Sequence, residues 1–145
     1  MFSWLMIKGL ILVSCGHKLR RSGQVTDKYE TDKKSFEKYV SVKDMIYIKY
    51  LNYDAIHDET YDKIYATKNI FPLEYNLVLN EYPYDVEKDI SHYVLWLTKD
   101  LTGKFEQIES ILDEFLPNKE YIYYYNPIEH RSIPSVFHVQ VFVKK

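Results

Sequence analysis

The sequence predicts an α+β fold, with N-terminal helices packed on a small sheet formed by a C-terminal β-α-β-β unit. Two observations carry this. Phe105, Ile108, Ile111, Leu112, Phe115 and Leu116 recur at helical spacing, with Lys104, Glu106, Glu109, Asp113 and Glu114 off that stripe. Around this helix lie three compact β-type runs: His92–Leu97, Tyr121–Tyr125 and Val136–Val143. The helical segment is a crossover long enough to separate two strands. The last two runs, joined by the loop 126–134, read as a hairpin.

Upstream, the apolar positions Phe36, Tyr39, Val40, Met45, Ile46, Ile48 and Leu51 suit a helix over 35–52, interrupted near Ser41. Ala55, Ile56, Tyr61, Ile64 and Tyr65 predict a second helix over 53–67. Pro72 is placed to open a third, short one carrying Tyr75, Leu77, Val78 and Leu79. Residues 81–85 are turn-rich. This divides the chain into an apolar N-terminal segment and polar linker (1–34) and a single globular domain (35–145). A chain of 145 residues and 17.5 kDa holds one good core.

Composition excludes some functions. A net charge of −2 without a basic stripe argues against nucleic acid as a partner; the densest basic run, His17–Arg21, is short. The single cysteine, Cys15, permits no intrachain disulfide, consistent with an intracellular, cytoplasmic protein. An alternative location starts from Leu12-Val13-Ser14-Cys15, which resembles a lipoprotein cleavage box and would anchor the chain to a membrane through Cys15. The apolar run preceding it is too short to span a bilayer, which needs about 20 residues, so a membrane partner is not expected. The 15 tyrosines offer contact area for a protein partner, although a surplus of Tyr, Ile, Lys and Asn also follows from an AT-rich genome.

Candidate site residues follow from strand alternation. On the last run Val136, His138, Gln140 and Phe142 share one face, and on the earlier one His92, Val94 and Trp96 do. Polar groups on such faces carry a desolvation cost unless something satisfies them. His92 and His138 are the candidate acid–base pair, because imidazole titrates near neutrality. Trp96 can stack on a ring, Gln140 and Asn126 can hydrogen-bond, and Arg131 can clamp a phosphate or carboxylate. The expectation is a small-molecule site for a phosphorylated or sugar-like ligand. The rival reading is a non-catalytic interaction module in which the same residues form a structural network. No phosphate loop, nucleophile elbow or zinc signature is present, so neither a metal nor a cofactor is implied.

Tyr82-Pro83-Tyr84, His92-Tyr93-Val94-Leu95-Trp96, Tyr124-Tyr125-Asn126-Pro127, Arg131-Ser132 and Phe137–Phe142, in this order and spacing, resemble the N-acetylglucosamine-induced-protein-like family. This is a domain of unknown function in fungi, other eukaryotes and large DNA viruses, and the likeness covers roughly residues 40–143. It implies an intracellular protein and no established reaction. Where the family pattern often carries a second histidine on the final strand, this chain has Gln140, which departs from a two-histidine mechanism.

Overall fold

The computed structural model describes residues 1–145. Its elements in chain order are α1 (Trp4–Leu12), α2 (Gly23–Lys33), α3 (Val42–Tyr50), β1 (Asp54–Asp58), β2 (Lys63–Thr67), β3 (Tyr75–Leu79), β4 (Ile90–Leu97), α4 (Phe105–Phe115), β5 (Tyr121–Tyr124) and β6 (His138–Lys144). Short 3-10 turns cover Gly16–Lys18, Lys34–Lys38 and Ile128–His130. The class is α+β, as predicted. An antiparallel four-stranded sheet of order β3-β4-β6-β5 is the centre, and β1 and β2 form a separate hairpin. Because β6 lies between β4 and β5, the crossover through α4 skips one strand position.

The sheet is covered on both sides. Alternation sends Leu95, Leu97, Val139, Val141 and Val143 to one face, where they pack on Ile108, Leu112 and Leu116 of the α4 region. The opposite face carries two smaller clusters. Met45, Ile46 and Leu51 from α3 and its end meet Val94, Trp96 and Val136, while Ile7 and Leu19 meet Ile90 and Phe142. His92, His138 and Gln140 are the buried polar residues, and all three lie on this two-cluster face.

Three segments differ from the sequence reading. Residues 53–67 are a hairpin, not a helix: Ile56 stands opposite Tyr65 and Ala55 opposite Ala66. Asp58 closes the turn by accepting the Thr60 amide at 2.9 Å, and Asp62 adopts a left-handed φ of 53°. Residues 75–79 are a strand rather than a third helix, because pairing Leu77 with Leu95 completes the sheet beside β4. Residues 1–34, read as an apolar segment and a linker, form two helices. Each starts with a serine cap: Ser3 accepts from the Met6 amide and Ser22 from the Val25 amide. Ile7 is wholly buried and Leu19 nearly so, and the Phe2 amide donates to the Asp85 carbonyl. Cleavage ahead of Cys15 would take Ile7 out of its cluster. No helix is long and apolar enough to cross a membrane.

Candidate functional site

Register brings the strand residues of the predicted site together. Trp96 pairs with His138, Val94 with Gln140 and His92 with Phe142, so all four polar or indole side chains share one patch of one face. Their environments differ.

His92 is sealed. Its Nδ1 accepts the Tyr84 amide at 3.0 Å, so the proton sits on Nε2, which donates to Gln140 Oε1 at 2.6 Å. The ring stacks on Phe142 with centroids 4.5 Å apart. Burial drives its pKa down to about 3, against the opposing pull of the Gln140 hydrogen bond, and the Arg21 charge lowers it further. With both ring nitrogens engaged, His92 has no lone pair free for proton transfer. What it does is orient Gln140. A donating Nε2 forces the amide oxygen inward, leaving the amide nitrogen without a protein partner.

His138 is arranged differently. Its Nδ1 donates to the Val136 carbonyl at 2.9 Å, which leaves Nε2 as an acceptor with no hydrogen bond inside the protein. Burial lowers its pKa, opposed by the Val136 bond and reinforced by Arg131, so the ring is neutral at neutral pH. Its ring leans on Trp96 at 4.9 Å, and Trp96 stacks nearly parallel to Tyr50 with centroids 5.4 Å apart. Trp96 is only 7% exposed, yet its indole N–H has no partner.

These groups border a polar cleft of about 290 Å³. His138, Gln140 and Asn126 line one side, and Arg20, Arg21 and His17 line the other. A smaller cleft of about 60 Å³ adjoins it and is reached by Tyr50, Trp96, His138 and Gln140. On the other side, sharing His17 and Asn126, opens a wide cavity of about 800 Å³ lined by Arg131, Asp100, Thr102, Phe105 and Tyr125 among others. Of the predicted residues, Trp96, His138 and Gln140 therefore gather at the clefts and Asn126 joins cleft to cavity. Arg131 stands in the cavity, its Nε donating to the Asn126 carbonyl at 2.8 Å, and His92 lies behind Gln140.

The sequence reading missed Arg20, Arg21 and His17, which come from the segment taken as a linker. Arg21 is placed by donation from Nε to the Tyr82 carbonyl at 2.9 Å and by the faces of Tyr29 and Tyr84. Arg20 Nη1 donates to the Leu19 carbonyl at 3.0 Å. The loop side is joined to this segment by His17 and His130, whose rings stack in parallel at 4.4 Å. None of the chain's three arginines forms an ion pair with a carboxylate.

Fold and site together define a small α+β domain with a cation-lined cleft on one face of an antiparallel sheet. The chain belongs to the family described as "Protein of unknown function (DUF3605)", whose model matches residues 3–144. It is also similar to the solved structure described as "Crystal Structure of HTC1", at 22% identity over 100% of this chain and 86% of that chain, with a TM-score of 0.70. That likeness establishes a shared fold. No curated protein matches the chain.

Proposed function

We propose that this domain binds a small phosphorylated ligand, with the anionic group held in the polar cleft by Arg20 and Arg21 and flanked by Asn126, Gln140 and His138. The observation that carries this is the state of the arginines. Arg20 and Arg21 line the cleft and Arg131 the cavity beside it, where it faces Asp100; each is fixed by backbone carbonyls, and none forms an ion pair with a carboxylate. Unpaired guanidinium groups held in place are suited to planar oxyanions. The ordered motifs support grouping the chain with the N-acetylglucosamine-induced-protein-like proteins within its family, and that resemblance supports an intracellular location.

The test is thermal unfolding with inorganic phosphate and phosphorylated small molecules. Binding to the folded state alone must raise the midpoint in proportion to the logarithm of ligand concentration. Arg20→Ala combined with Arg21→Ala should abolish the rise, whereas a flat response of the wild type to every phosphorylated compound would refute the reading.

A second reading, a protein-interaction module, rests on the outer side of α1, where Leu5, Met6, Leu12 and Val13 are exposed. Leu5→Glu with Leu12→Glu should leave stability unchanged while abolishing capture of the partner.

A further inference from the structure

Three hydrogen-bonding groups at the base of the cleft have no partner in the protein, and they complement one another. Trp96 Nε1 is a donor, the Gln140 amide nitrogen is a donor, and His138 Nε2 is an acceptor. Trp96 and His138 are each more than nine-tenths buried, at 7% and 8% exposure, and they are direct neighbours across β4 and β6. Of the three only Trp96 Nε1 is sealed without a partner, which is costly, while the Gln140 and His138 nitrogens stay open to the clefts, so donor and acceptor held side by side suit something that supplies both.

We propose that this base binds a hydroxyl group of the ligand, which makes the ligand a hydroxyl-bearing phosphate monoester; this rests on the reading that the arginines hold its phosphate. The hydroxyl donates its proton to His138 Nε2, and its oxygen accepts from the Trp96 indole N–H, with the Gln140 amide as a second donor. A neutral partner suits the spot, because burial keeps the His138 ring uncharged. Size narrows the class further. The inner cleft, at about 60 Å³, is the smaller of the two and suits a hydroxyl and the carbon that bears it. The Arg21 and Gln140 side chains line both clefts, so phosphate and hydroxyl are bound within the span of one short molecule. His92 is a positioning residue here, because its Nε2–H fixes which end of the Gln140 amide faces outward.

Propyl phosphate and glycerol 3-phosphate separate this proposal from the reading beneath it, since they share charge and chain length and differ in hydroxyls. Titration calorimetry on the full chain should find glycerol 3-phosphate the tighter ligand by about tenfold or more, the scale of one hydrogen bond to a buried group. Trp96→Phe removes one of the hydroxyl's partners and should narrow that difference by weakening glycerol 3-phosphate more than propyl phosphate. The chain's two tryptophans give a readout that needs no core variant, with Trp4→Phe assigning the signals. In the amide–indole NMR spectrum, glycerol 3-phosphate should shift the Trp96 indole proton and propyl phosphate should not. Equal affinities with a stationary indole signal would overturn the hydroxyl site and leave the anion site standing. Failure of both compounds and of inorganic phosphate to bind would overturn both.

Discussion

Mild acid should weaken this fold through His92, by an amount the structure sets. The imidazole is 3% exposed and held at a pKa of about 3, chiefly by burial, against an ordinary value of 6.5. Since the folded value is the lower one, the unfolded chain carries more protons between the two. Stability is therefore complete above about pH 6.5 and declines as pH falls toward about 3. Each pH unit in that window removes about 1.4 kcal/mol, so at about pH 5 the loss from His92 is about 2 kcal/mol. His138, whose pKa burial also lowers, acts in the same direction. A small domain has only about 5–15 kcal/mol in total, so the change is readily measured. Urea unfolding at neutral pH and at about pH 5 gives the free energies, and the imidazole NMR signals report which ring takes up the proton. The pH slope should be shallower in His92→Phe. A His92 ring that titrates at its ordinary value, or a stability that does not change across this interval, would refute the argument.

Other perturbations probe single contacts. Gln140→Leu strands the His92 Nε2–H in the core and should cost about 1–3 kcal/mol by chemical denaturation, although leucine fits a strand. Gly16 lies flat on Tyr124, and a Cβ there would stand 2.6 Å from the Tyr124 ring, so Gly16→Ala should lower stability by about 1–3 kcal/mol; an unchanged melting curve would show that the ring yields freely. Ile7→Ala should cost about 2–5 kcal/mol if α1 belongs to the folded unit, and almost nothing if residues before 35 are dispensable.

The parts of the fold legible in sequence are those whose apolar pattern is set by one dominant partner. The stripe of α4 and the alternation of β4 and β6 are of this kind, because each element buries one defined face against the same core. The hairpin over 54–67 was not, since Ala55, Ile56, Ile64 and Tyr65 satisfy helical spacing as well as cross-strand pairing, and the deciding signal was the turn chemistry of Asp58 and Asp62. Helix α2 buries no residue fully, so its segment reads as a polar linker; only its Ser22 cap marks it. The candidate site was legible to the same degree. Alternation placed Trp96, His138 and Gln140 on one face, whereas Arg20 and Arg21 owe their position to Leu19 and Ile7 docking on strands about 70 to 135 residues later, which no local pattern encodes.

The stack of His17 on His130 has a consequence for how the molecule assembles. Apart from Tyr84, the cleft is lined by residues 17–26 on one side and 126–140 on the other, so it is not complete until these two distant segments have met. Contacts of such long sequence separation form late, because closing the loop costs entropy before the contact repays it. The N-terminal strip therefore closes over the sheet and α4 late in folding. In a growing polypeptide that strip is made first and must wait for the final strand. A phosphorylated ligand bridging Arg21 and His138 would act as a clasp on this late step, slowing amide exchange and protease attack at residues far from the phosphate itself.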